Sequence, residues 1–73
     1  MLDINLNLYK VFYIVAKSKS YADASNKMNI SVTAISKNIK QLERQLDAQL
    51  FYRTSNGVKL TITGEDLCEQ IDK

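Results

Sequence analysis

Leu8, Phe12, Val15 and Ala16 recur at i, i+4, i+7 and i+8, the spacing of one helical face. The pattern predicts a first helix from about Leu6 or Leu8 to Ala16, with Asn5 or Asn7 available to cap its start. Lys17-Ser18-Lys19 follows as a polar break. Ser20 reads as the N-cap of a short second helix, about Tyr21 to Met28. Tyr21, Ala24, Ser25 and Met28 share one of its faces, where small Ala24 and Ser25 admit a close neighbour. Ser25 can satisfy its hydroxyl on a carbonyl of the preceding turn. Asn29-Ile30 forms the next turn, because Asn tolerates the left-handed conformation that ends helices. Ile30 is expected to be buried there.

Ser31 is a good N-cap for a third helix, Val32 to about Leu46. At about 100° per residue, Ile35, Ile39, Leu42 and Leu46 fall on one narrow face, which must be core. Thr33, Ser36, Lys37, Lys40 and Arg44 fall on the opposite face with no acid among them; Glu43 lies on the flank. After Asp47-Ala48 the period changes. Leu50 to Thr54 is rich in aromatic and β-forming residues, Ser55-Asn56-Gly57 is a turn cluster, and Val58 to Thr61 is a second short strand. Together they read as a β-hairpin. Thr61 then caps a final helix, about Ile62 to Lys73, with Glu65 and Asp66 in the first turns where the helix dipole favours acids. Leu67, Cys68 and Ile71 form an apolar stripe that is still running when the chain stops, which suggests a truncated helix rather than a natural terminus.

Composition removes whole classes of function. Seventy-three residues make one small domain at most. One cysteine and no histidine exclude an internal disulfide, a Cys/His zinc site and histidine-based catalysis. There is no Gly-rich loop or clustered acid pair, so no enzymatic, cofactor or metal site is expected. No run approaches the roughly 18 apolar residues of a membrane span. Met1-Leu2-Asp3-Ile4-Asn5 lacks the basic start and apolar core of a signal peptide. A lone thiol in such a chain fits a reducing cytoplasm. The net charge of +2 conceals a segregation. Residues 10–59 hold nine basic groups against three acids, whereas residues 60–73 hold Lys73 against Glu65, Asp66, Glu69 and Asp72. A basic body with an acidic tail points to a polyanionic partner for the body.

Three helices and a two-stranded wing, in a mainly α chain, make a winged helix-turn-helix. The helix after the tight turn in this motif lies in the DNA major groove, with its N-terminal residues at base edges. Ser31, Thr33 and Ser36 offer short hydroxyls there, and Val32 an apolar contact for a thymine methyl. The helix N-terminus offers free N–H groups to a phosphate. Lys37, Lys40 and Arg44 continue along the same face, where phosphate contacts are expected. Arg53 and Lys59 on the wing strands suit the backbone or the minor groove; alternatively, Arg53 pairs with Glu43 or Asp47 and Lys59 is idle. Lys10, Lys17, Lys19 and Lys27 read as solubility charges, Cys68 as a small hydrophobe, and Tyr9, Tyr13 and Tyr52 as packing or rim residues. A rival reading is a winged-helix protein–protein module without DNA binding, since one fold serves many functions.

Five blocks of sequence also carry a resemblance. Ser20 to Met28, Ser-Tyr-Ala-Asp-Ala-Ser-Asn-Lys-Met, is similar to Ser-aromatic-x-x-Ala-Ala-x-x-Leu. Ser31 to Ile39 is similar to Ser-Gln-Pro-Ala-Leu/Val-Ser-Arg-x-Ile. Leu42 to Leu46 matches Leu-Glu-x-x-Leu, Leu50 to Thr54 matches Leu-Phe-x-Arg-Thr, and Val58 to Gly64 matches a wing with its Leu-Thr-x-Ala-Gly exit. In register from Leu6 to Gly64, the chain resembles the N-terminal DNA-binding domain of LysR-type transcriptional regulators. It departs from that pattern in several places. Val32 and Thr33 replace Gln-Pro, Lys37 replaces Arg, Lys19 and Asp47 replace glycines, and Thr63 replaces Ala. The resemblance implies a DNA-binding domain over residues 1–61 and the start of a linker helix over residues 62–73. It implies a homodimer on an inverted-repeat promoter site, with Leu67, Cys68 and Ile71 on the dimer face or, alternatively, packed on the protomer's own first helix. It also implies a C-terminal domain, absent here, that would bind a small-molecule effector.

Overall fold

The computed structural model describes residues 6–18 and 20–72. Its elements run α1 (Leu6–Ser18), α2 (Tyr21–Met28), α3 (Val32–Leu46), β1 (Phe51–Thr54), β2 (Gly57–Leu60) and α4 (Ile62–Asp72). This is the winged helix-turn-helix that the periodicity predicts. Asn5, Lys19 and Lys73 lie outside the described residues. The caps fall where the short polar residues stand. Ser20 Oγ accepts from the Asp23 N–H at 3.0 Å, and Ser31 Oγ from the Ala34 N–H at 3.0 Å. Each satisfies one of the orphan donors that a helix start leaves. Asn29 (φ 59°) and Asp47 (φ 52°) end α2 and α3 in the left-handed conformation. Asp47 thus holds the backbone shape for which glycine is the easier residue. Ser25 Oγ donates to the Ala22 carbonyl at 2.8 Å, as its position predicts.

The first three helices enclose Phe12, Val15, Ala24, Ile35, Ile39 and Leu42, joined by Leu50 and Phe51 from the wing side. The apolar stripe of α3 is therefore the floor of the core, and its polar stripe is the outer surface. Two local expectations are corrected. α1 continues two residues past Ala16, because buried Ser18 donates its hydroxyl to the Ile14 carbonyl at 2.6 Å and so loses its polar cost. Ile30 is 36% exposed rather than buried. With Asn29 left-handed, the Ile30 N–H closes back on the Ser25 carbonyl at 3.2 Å.

β1 and β2 pair antiparallel, with Phe51 opposite Leu60, Tyr52 opposite Lys59, Arg53 opposite Val58 and Thr54 opposite Gly57. The second strand begins at Gly57, one residue before the expected Val58, and its φ of 136° is open to glycine but not to L side chains. Two side chains tie the wing to the helices. Glu43 Oε2 accepts from the Leu50 N–H at 2.8 Å and the Phe51 N–H at 3.4 Å, joining α3 to the start of β1. Thr61 Oγ1 accepts from the Gly64 N–H at 3.0 Å, the predicted cap, and also donates to the Gln49 carbonyl at 2.6 Å. Thr61→Val removes both bonds while keeping the shape. It should cost about 1–2 kcal/mol in chemical unfolding; an unchanged midpoint would mean that neither bond matters to stability.

α4 returns to pack on α1. Its inner side carries Gly64 and Cys68, the latter 8% exposed, with Leu67 and Ile71 half-buried against the core. At its far end the Tyr13 hydroxyl donates to Asp72 Oδ1, and Lys17 Nζ lies 3.6 Å from Asp72 Oδ2 and 5.2 Å from the Tyr13 ring centre. The hydrogen bond from Tyr13 holds the Asp72 carboxyl below its ordinary pKa, and that same bond holds the phenol above its own.

Candidate nucleic-acid interface

Most of the residues singled out on the third helix come together on one surface. Val32, Thr33, Ser36, Lys37 and Lys40 of α3 and Arg53 of β1 line a shallow groove of about 470 Å³. No acid lines it. Ser31 stands at its head; because its oxygen serves Ala34, its own O–H is left to donate outward. The cap satisfies Ala34 and leaves the N–H groups of Val32 and Thr33 at the helix start for an outside acceptor. Val32 is 41% exposed, so a β-branched side chain sits at the helix entrance with little help from the core. Lys40 also borders a second depression, lined with Glu43, Arg44, Asp47, Ala48 and Gln49, where Lys40 and Arg44 stand among two acids at the end of α3.

The two wing cations part company. Arg53 shares the Phe51 side of β1, whereas Lys59 pairs with Tyr52 on the other face of the pleat. Lys59 is exposed but does not line the groove. The acid-pairing alternative for Arg53 is not what the structure shows. The ion pairs among the described residues are Lys17–Asp72 and Lys27–Asp23. Arg53 instead places its guanidinium carbon 4.8 Å from the centre of the Tyr21 ring. Glu43 makes no ion pair with it and turns its Oε2 to the Leu50 and Phe51 N–H groups. Lys37, Lys40, Arg44 and Lys59 likewise have no acid partner among the described residues.

Tyr21 therefore joins the site's edge through Arg53, a role the periodicity did not give it, while Glu43 lies outside the groove and braces the start of β1. Burial pushes the Tyr21 phenol above its ordinary pKa; nearby Glu43 adds to the shift and Arg53 opposes it. Among the described residues no group of acids and cysteine is placed to hold a metal ion, and no helix is long and apolar enough to cross a membrane.

Residues 6–65 match the family model of bacterial regulatory helix-turn-helix proteins, lysR family. The chain belongs to the LysR family. Over 64 residues, 88% of its length, it is 41% identical to the HTH-type transcriptional regulator YofA of Bacillus velezensis and 42% identical to the HTH-type transcriptional activator AmpR of Citrobacter freundii. It spans 22% of the length of each of these relatives. The crystal structure of the BenM DBD/benA site 1 DNA complex superposes with a TM-score of 0.86 at 30% identity, covering 92% of this chain and 78% of that one. In this LysR-type domain the acid-free groove is framed by the helix-turn-helix on one side and the wing on the other.

Proposed function

We propose that this LysR-type domain binds duplex DNA through α3 and regulates transcription as a dimer. Ser31, Val32, Thr33, Ser36 and Lys37 enter the major groove; Lys40, Arg44, Arg53 and Lys59 take phosphates. The observation that carries the reading is the groove itself: hydroxyls, an exposed methyl-bearing side chain and cations converge with no acid among them. Hydroxyls and methyls suit base edges, and cations suit phosphates. The DNA complex of the similar BenM domain supports it.

Pairing runs through α4. Cys68 is taken up by the protomer's own core, which leaves half-buried Leu67 and Ile71 as the members of the apolar stripe with surface to offer a second copy. Two protomers related by a two-fold axis read an inverted repeat. A small-molecule effector would act through a further domain in the remaining length that the relatives possess, in a cytoplasmic regulator.

Selection from a random duplex pool tests this reading. The expected product is an inverted repeat with fixed spacing between half-sites. Enrichment of no motif, by a chain that is folded and binds DNA, would contradict sequence-specific recognition. Enrichment of single half-sites would contradict the dimer.

A further inference from the structure

Arg53 is the groove residue contributed by the wing, and its support comes from a different element. Tyr21, the first residue of α2, meets Phe51 edge-on, with ring centres 6.3 Å apart at 85°. Phe51 is buried and tilts onto Phe12, with centres 5.3 Å apart at 46°. The Tyr21 ring is thus backed by the core through two aromatic contacts. Its face takes the Arg53 guanidinium at 4.8 Å. Phe51 and Arg53 stand two apart on one face of β1, so a single ring engages both.

Resting on the DNA-binding reading, we infer that Tyr21 is a positioning residue for Arg53. Its ring holds the guanidinium over the recognition groove before DNA arrives. The chemistry favours a ring over an acid for this task. An ion pair spends the N–H donors of arginine on a carboxylate. A guanidinium resting on a ring face spends none, so all of its N–H donors stay available to phosphate oxygens. A long side chain that is already restrained also loses less freedom on binding. The hydroxyl plays no part in this, so phenylalanine should serve as well as tyrosine.

The test compares Tyr21→Leu, Tyr21→Phe, Arg53→Gln and the double variant Tyr21→Leu/Arg53→Gln of the 73-residue chain. Fluorescence anisotropy on a short random-sequence duplex at low salt gives affinity; NMR of the free protein gives the Arg53 side-chain proton shifts. Tyr21→Leu should weaken binding about three- to tenfold, and Tyr21→Phe by less than about twofold. In the Arg53→Gln background, Tyr21→Leu should change nothing further. Ring-current shifts of the Arg53 protons should be present in the wild type and Tyr21→Phe and absent in Tyr21→Leu. Should leucine unfold the domain, Tyr21→Met takes its place. A Tyr21 penalty of equal size in both backgrounds would mark a purely structural role and overturn the proposal. So would full affinity in Tyr21→Leu beside a weakened Arg53→Gln, or unshifted Arg53 protons in the wild type. A folded wild type that ignores DNA at low salt is a different result; it would overturn the DNA-binding reading and this proposal with it.

Discussion

Gly64→Ala should destabilise the domain by about 2 kcal/mol, which is roughly 10 °C in Tm for a chain of this size. A Cβ at that position would stand 2.3 Å from the Leu50 carbonyl oxygen, 2.9 Å from Leu60 Cδ2 and 3.2 Å from the Leu50 carbonyl carbon. Leu60 can yield by turning its side chain. The Leu50 carbonyl cannot, because it accepts the Thr61 N–H at 2.9 Å and the Leu50 N–H is held by Glu43 at 2.8 Å. The start of α4 must therefore move away from the wing. Alanine brings a helix-propensity gain of about 1 kcal/mol over glycine, but a sub-van-der-Waals contact with tethered backbone outweighs it. Differential scanning fluorimetry checks the result; an unchanged or raised Tm would show that the α4–wing corner is looser than these distances imply.

Lys37→Glu/Lys40→Glu should lower DNA affinity by at least about a hundredfold, given that hydrogen bonds to charged groups each contribute about 1.5–3 kcal/mol. Both lysines line the groove, are exposed, and have no acid partner among the described residues. Reversing them therefore breaks no internal ion pair. Stability should change by no more than about 0.5 kcal/mol. The separation of the two effects is the point. Lost binding with an intact melting curve places the DNA on α3, whereas unaltered binding would move the interface elsewhere on the domain.

The parts of this architecture that were legible in the sequence are local ones. Ser20, Ser31 and Thr61 cap helices with bonds that span three residues, and Asn29 and Asp47 end them with single-residue geometry. The bounds of α2 and α3 follow from those signals. The third-helix stripe is legible for the same reason, since a 3.6-residue period places Lys37 and Lys40 together without any knowledge of the rest. What escaped depends on contacts between elements. Ile30 reads as buried by its chemistry, but in the folded domain it stays 36% exposed. Glu43 reads as a flank residue until the chain returns seven and eight residues later to donate Leu50 and Phe51 N–H groups to it. Arg53 offers two acids as partners in the sequence, and no spacing rule points to a tyrosine thirty-two positions away. The division of Arg53 from Lys59 needs the strand register, which is known only once the hairpin closes.

The most direct test of the central claim is the salt dependence of wild-type binding to random-sequence duplex DNA, measured by fluorescence anisotropy from low to physiological ionic strength. Phosphate contacts by about four of the cations Lys37, Lys40, Arg44, Arg53 and Lys59 predict that log K falls linearly with log salt at a slope near −4 for each protomer. A flat response, or no binding at low salt by a chain shown to be folded, would contradict the assignment of this surface to DNA.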